Sequence, residues 1–390
     1  MADGPTCTET ADVVVIGGGP AGSAAALRLA RRGLQVVQLE RRVFLDPRND
    51  RLRSGEGLIQ RARHELAQLG GGLDPGAWSL SRVGAVRIAW PDGVLTTDPI
   101  ARRGGIVQID REAFDYDLFR AAQRAGADGR AGWRARALLQ DERGRITGVL
   151  AQAPGDLAAR RIRAPLVIDA GGRNALSLRA PARRRSPGGD DFCGISLFFD
   201  QVAGLDPDIW EMHLFDLTAL TVVQLSQMRA GVVRCGLGTS GRLMRAGPRA
   251  PYDLFWQRVR ASPELARRLA ASRVVHRPFV RIGIGYRVPE VVFDGLLLAG
   301  DAAGYLNPLF GDGILRALYS ARAAAAAAEA ALRRGDCSRG GLAWYARRHA
   351  IRDHADQLLR QLMLLANHHP AGIGRARVAR HALLALLLRA

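Results

Sequence analysis

Apolar positions along the chain fall into two textures. Residues 12 to 39 read "DVVVIGGGPAGSAAALRLARRGLQVVQL". "DVVVI" and "QVVQL" are short, continuous, β-branched runs, the pattern of strands buried on both faces of a parallel sheet. A glycine turn and a helix rich in small residues separate them. "APLVIDA" and "GLLLAG" repeat the buried-strand pattern far downstream. The stretch from about 185 to 280 differs. Its "ISLFFD", "EMHLFD", "TALTVVQLSQ" and "GVVRCGLGT" alternate or run briefly apolar, as strands of an antiparallel sheet do. The patterning predicts an α/β protein with a Rossmann-like nucleotide domain in discontinuous segments, 1–80, 101–184 and 280–335. A mostly antiparallel β-sheet substrate domain follows from 81–100 and 185–279. Residues 336–390 are rich in Leu and Arg and predict a C-terminal helical region that covers the core or mediates dimer contacts.

The glycines carry the first chemistry. Gly17, Gly19 and Gly22 have the G-x-G-x-x-G spacing between a strand and a helix. Gly17 permits a tight turn, Gly19 lets backbone approach a pyrophosphate, and Gly22 allows close packing of helix on strand. Pro20 and Ala21 open the helix, whose free N–H groups and positive dipole end suit an anion. Glu40 ends the second strand, where an acid can bond ribose hydroxyls. Arg41 follows, as a further cofactor contact or as a surface residue.

Composition changes this picture little. The formal charge is +19, from 56 basic against 37 acidic residues, yet every basic residue is arginine and none is lysine. These arginines are spread along the chain, so a nucleic-acid role is not expected, and a basic surface that draws in an anionic cofactor, substrate or carrier is. Cys7, Cys193, Cys235 and Cys337 are too scattered to form a metal-ligand pair, and no metal site is expected. The N-terminus lacks a basic region followed by an apolar run, and no apolar stretch reaches 18 residues. A cytoplasmic monomer or homodimer without a transmembrane segment is the expectation.

The stretch "GDAAGYLNPLFGDGILRALYSA", residues 300 to 321, resembles the second FAD motif of flavoproteins with the p-hydroxybenzoate-hydroxylase-type fold. That superfamily includes aromatic monooxygenases, geranylgeranyl-reductase-like enzymes and flavin-dependent halogenases. "VQIDREAFDYDLFRAAQRAGA" resembles its "R..FD..L...A...GA" segment, and "APLVIDAGGRNALSLR" resembles its "VIDA.G..S..R" segment. The resemblance implies FAD as cofactor, with Arg111, Asp169, Gly171, Asp301, Pro308, Gly311, Gly313 and Ile314 beside it. Two nucleotide signatures far apart in the chain suit FAD, whose two halves need separate anchors. The segment "RSGEGL", residues 53 to 58, is then expected to run beside the isoalloxazine, with Arg53 a cofactor contact and Glu56 a flavin-side residue. Phe310 joins Glu56 as a catalytic candidate. His213, with Trp210 and Glu211, is a weaker candidate from the sheet over the flavin.

Three chemistries compete on this scaffold. A monooxygenase acting on a bulky aromatic or apolar substrate, in specialised biosynthesis, leads because it needs only a dry pocket over the flavin. A geranylgeranyl-reductase-like C=C reductase is favoured by "SGEGL" and "NPLFGDGI", and opposed by Ser54 where that group carries Cys. A halogenase is disfavoured because members of that class use a lysine. A non-catalytic flavin-binding protein is the fourth reading. Substrate is a small molecule, free or held on a carrier or peptide. Electrons come from NAD(P)H or from a partner flavin reductase, since no second glycine fingerprint appears. The purified protein is expected to be yellow, with the absorption bands of bound FAD. A colourless protein that takes up no FAD on incubation would contradict the reading of both motifs.

Overall fold

The computed structural model describes residues 8–46, 56–91, 93–179, 192–216, 221–244, 250–284, 288–304 and 313–352. In chain order the strands and helices begin with β1 (Thr8–Thr10), β2 (Val13–Ile16), α1 (Pro20–Ala30), β3 (Val36–Glu40), β4 (Glu56–Leu58), α2 (Gln60–Leu69) and α3 (Pro75–Trp78). Next come β5 (Ser79–Val83), β6 (Ala85–Ala89), β7 (Leu95–Pro99), β8 (Ile106–Ile109), α4 (Arg111–Arg124), β9 (Asp128–Ala131), β10 (Arg134–Gln140), β11 (Ile146–Gln152), β12 (Arg160–Arg163) and β13 (Leu166–Asp169). The remainder is β14 (Phe192–Asp200), β15 (Ile209–Asp216), β16 (Thr221–Arg229), β17 (Val232–Ser240), α5 (Gly241–Met244), α6 (Ala250–Ala261), α7 (Pro263–Leu269), β18 (Arg273–Ile284), β19 (Val292–Phe293), β20 (Leu296–Leu298) and α8 (Gly313–Arg334).

The continuous apolar runs form one six-stranded sheet in the order β19-β20-β13-β2-β3-β9. Every neighbouring pair in it is parallel except β19 with β20. Both faces are covered, which is why β2, β3, β13 and β20 bury every residue. Helices α1, α4 and α8 pack on one side, and strands of the four-stranded sheet β1-β12-β11-β10 pack on the other. Alanine makes the helical layer thin: Ala21 to Ala26 of α1 meet the alanine run of α8 with almost no side chain between. Strand β2 lies between β13 and β3, so successive crossovers leave it in opposite directions. A ligand crevice opens beyond the strand ends at such a point.

The alternating runs form a seven-stranded sheet, β18-β14-β17-β16-β15-β6-β7. It is antiparallel except where β6 joins β15. One face carries Cys193, Ile195, Leu197, Val223, Leu225, Cys235 and Leu237 against α6 and α7. Sequence reading assigned this whole stretch to strands and overlooked those two helices. Their signal was there: Pro251, Phe255 and Val259 recur every four residues and are all buried. A small third sheet, β4-β8-β5, joins the two larger ones. Ser81 Oγ of β5 donates to the Gln227 carbonyl of β16 at 2.9 Å. Just beyond α8 the chain still lies on the nucleotide body, where the buried Tyr345 hydroxyl donates to the Leu298 carbonyl at 2.6 Å. Among the described residues no helix is long and apolar enough to cross a membrane.

Phe255 is fully buried and stacks on Phe199, ring centroids 6.1 Å apart. Phe255→Ala is expected to cost about 3–5 kcal/mol of stability. Denaturant unfolding would read this loss, while the flavin-to-protein ratio of the folded fraction stays unchanged because α6 backs the far side of the sheet.

Candidate functional site

Three loops converge at the N-terminus of α1. Gly17 sits at φ +108°, and a Cβ there would collide with the Ala170 carbonyl. A Cβ on Gly22 would collide with the carbonyl of Gly17, so helix and loop are packed backbone to backbone. Gly19, by contrast, has open space where its Cβ would be. It caps α1 without any side-chain bond, Pro20 follows, and the first turn carries no acidic residue. Ala21 and Gly22 therefore present uncapped N–H groups at a positive dipole end with no carboxylate in the turn, an arrangement that fits a pyrophosphate. Gln38 fixes the turn from below, donating through Nε2 to the Gly17 carbonyl at 3.0 Å and to Ser23 Oγ at 3.1 Å.

The second loop leaves β13. Asp169 is fully buried and accepts from Gly171 N at 3.0 Å, Ser177 N at 2.9 Å and Ser177 Oγ at 2.7 Å. Burial pushes its pKa up, against the lowering effect of those bonds. Its carboxyl is occupied by its own loop, so it shapes the Gly171 turn that borders Gly17. The third loop leaves β20 as a 3₁₀ turn over Gly300–Ala303. Gly300, at φ +61°, faces the Ala21 methyl and donates its N–H to Ser320 Oγ of α8 at 2.9 Å. Asp301 is held half-buried in this turn. Gly313 and Ile314 open α8, and Ile314 is buried.

A chain of alternating charges ties the site together. Gly18 N donates to Glu40 Oε2 at 2.6 Å. Glu40 Oε1 pairs with Arg42 Nε at 3.1 Å, and Arg42 pairs with Asp115 at 3.1 Å. Asp115 takes Arg111 Nε at 2.8 Å, and Arg111 closes the chain on Glu56. Burial lowers the pKa of both arginines, but Asp115 with Glu40 or Glu56 outweighs it and holds both above the ordinary arginine value. Asp301 acts on Arg111 in the same sense. Strand β3, helix α4 and strand β4 thus hold one another through fixed ions, and Glu56 is committed to Arg111.

The structure sets two of the sequence candidates apart, one exposed and one turned toward the helices. Arg41 is exposed, and its neighbour Arg42 makes the buried contacts instead. His213 lies 7% exposed on the helix-backed face of the large sheet, 3.3 Å from Glu211, which Arg268 of α7 meets at 2.6 Å. Alternation along β15 sends Trp210 and Met212 the other way. His213 is therefore not brought to the side that meets Glu56. Its charge partners explain the placement, and they pull Glu211 below the usual carboxylate range against the desolvation that raises it. Arg53, Pro308, Phe310 and Gly311 lie outside the described residues. Arg42, Asp115, Gln38 and Ser320 were missed. Asp115 was legible as the i+4 partner of Arg111, and Gln38 as the polar intruder in an apolar strand.

The face of the large sheet opposite α6 and α7 carries Gly194, Ser196, Phe198, Gln224, Arg234 and Gly236 beside Trp210 and Met212. A Cβ on Gly57 would meet the Trp210 ring, so β4 and this face are in contact. The large sheet is thus a roof whose front face meets β4, and Glu56 of β4 is tied through Arg111 to the nucleotide loops.

Comparison with known proteins fits this geometry. The family model described as FAD dependent oxidoreductase matches residues 12–47. A digeranylgeranylglycerophospholipid reductase from Methanothrix thermoacetophila is 31% identical over 344 residues, covering 86% of this chain and 82% of the relative. A 1H-pyrrole-2-carbonyl-[peptidyl-carrier protein] chlorinase from Pseudomonas fluorescens is 26% identical over 377 residues, covering 86% of this chain and 79% of the relative. The solved structure of a geranylgeranyl bacteriochlorophyll reductase-like protein from Thermoplasma acidophilum shares the fold, with TM-score 0.74 at 20% identity and 98% of each chain covered.

Asp115→Asn leaves Arg42 and Arg111 each short of a buried counter-ion. It is expected to cost about 3–5 kcal/mol in thermal unfolding and to lower the flavin-to-protein absorbance ratio. Arg41→Gln, at an exposed position, is expected to change stability by less than about 0.5 kcal/mol.

Proposed function

Because this chain belongs to the FAD-dependent oxidoreductase family that includes the digeranylgeranylglycerophospholipid reductases, we propose that it reduces carbon–carbon double bonds of a long apolar substrate. The observation that carries the reading is the 31% identity to such a reductase, which spans 86% of the chain and so takes in the roof as well as the nucleotide loops. Sequence reading leads with oxygen transfer. A reductase at that identity and coverage weighs toward hydride delivery instead. The chlorinase relative supports a halogenation reading less well, because this chain has no lysine.

Bound FAD supplies the hydride chemistry. The residues of this chain do the rest. The Gly17–Gly22 loop and the amides of α1 would hold the pyrophosphate, and Glu40 at the end of β3 would serve the adenosine ribose. Asp301 and the start of α8 take the opposite half of the cofactor. Glu56 and Asp115 fix Arg111 beside it. Trp210, Met212 and Phe198 line the roof and exclude water from an apolar chain lying under it. Electrons reach the site from NADH, NADPH or a flavin reductase, and substrate enters free or on a carrier.

Anaerobic incubation of reduced enzyme with polyprenyl compounds tests the proposal by mass spectrometry. Products heavier by two hydrogens per double bond are expected without air. Product that forms only in air and carries oxygen would replace the reading with a monooxygenase, and a halide-dependent mass would replace it with a halogenase.

A further inference from the structure

Arg234 of β17 is a cation without a described counter-ion. It projects from the face of the large sheet that meets β4, where its Nε donates to Ser196 Oγ at 3.2 Å and its Nη1 to Gln224 Oε1 at 3.4 Å. Both partners are neutral. Neither hydrogen bond uses Nη2. Burial lowers its pKa, and the Glu56 carboxylate opposes this from a distance at which the two form no ion pair. A half-buried guanidinium held by two neutral side chains is aligned but not neutralised.

Around it stand polar atoms with no partner. Ser226 is directly across the strand pair from Arg234, and its fully buried hydroxyl has no hydrogen-bond partner. Glu211 pairs with Leu225, so Trp210 sits opposite Ser226, and its Nε1 is buried without an acceptor. The third sheet contributes Gln108, 0% exposed, with both amide atoms unpartnered. Gln108 pairs with Gly57, on the face that meets the Trp210 ring. A buried polar group left without a partner is costly to the fold. Ser226 beside one unneutralised arginine, with Trp210 across from Ser226 and Gln108 on the strand face that meets the Trp210 ring, points to an occupant that both carries negative charge and offers hydrogen-bonding oxygens.

We propose that Arg234, aligned by Ser196 and Gln224, anchors an oxyanion of the substrate, a carboxylate or a phosphate, and that Gln108, Trp210 and Ser226 bond the oxygens next to it. The substrate is then an apolar body with an acidic head. The inference rests on the proposed reductase reading only for the prenyl identity of that body. Charge on a hydrogen-bonded group contributes about 1.5–3 kcal/mol, which corresponds to roughly 10- to 100-fold in affinity.

Titration of the FAD-loaded protein, without electron donor and followed by the flavin absorbance change, tests the anchor apart from turnover. One series is geranylgeranyl phosphate, geranylgeranic acid and geranylgeraniol. The other is naphthyl phosphate, naphthoic acid and naphthalenemethanol. In at least one series an acidic member is expected to bind about tenfold or more tighter than its alcohol. Arg234→Gln is expected to erase that difference and leave the alcohol's affinity within about twofold, and Arg234→Lys to restore part of it. The preferred acid identifies carboxylate or phosphate as the head. Preference confined to the naphthyl series supports the anchor and overturns the prenyl reading. Equal binding of acid and alcohol in both series overturns the anchor and leaves the orphaned groups to water. Loss of FAD, or equal weakening of every ligand by Arg234→Gln, overturns it in favour of a cofactor or structural role.

Discussion

The site depends on a single chain of buried ions, Glu40–Arg42–Asp115–Arg111–Glu56. Strand β3 and its glycine turn come from one end of the sequence, α4 from beyond the small sheet, and β4 from between them. Hydrophobic burial is non-directional and cannot fix the register of three such elements to a fraction of an ångström. Paired charges in a low-dielectric setting can, because each has defined partners and a high cost for losing one. The amide of Gly18 is the terminus of this chain, so the loop that faces the pyrophosphate is held by the same interaction that holds Glu56.

The nucleotide body and the roof use opposite solutions to burial. In the body, glycine and alanine bring backbone against backbone, as at Gly17 with Ala170 and Gly300 with Ala21. The loops can then converge on one point, and there is little side chain left to do chemistry. The roof has a helix-backed face whose polar members include the Glu211–Arg268–His213 cluster and the buried Thr221–Thr239 pair, and a front face where small, aromatic and polar residues mix. On the proposed reading, recognition of the substrate falls to the front face of the roof, and recognition of the cofactor to the turns of the body.

Much of this was legible in the sequence, for identifiable reasons. Buried parallel strands announce themselves as continuous apolar runs, and Val13–Ile16, Leu166–Asp169 and Leu296–Leu298 fall where such runs placed them. The glycine turn was legible because its steric demands admit few other residues. Long-range partners were not. Nothing in local pattern distinguishes Arg42 from Arg41, since only the tertiary position of Asp115 selects between them. Alternation along β15 gave His213 one of two faces without saying which is backed by α6 and α7 and which meets β4. The orphaned polarity of Gln108 and Ser226 is a property of neighbours that share no sequence proximity.

The central claim is that the turn after β2 and the 3₁₀ turn after β20 hold the two halves of one FAD, with the isoalloxazine between Glu56 and the front face of the roof. A crystal structure of the FAD-loaded protein tests it directly. The pyrophosphate is expected within about 3 Å of the amides at the start of α1, with Arg234 and Trp210 on the flavin's substrate side. FAD bound away from the Gly17–Gly22 loop, or an isoalloxazine lying on the His213 face of the roof, would contradict the account.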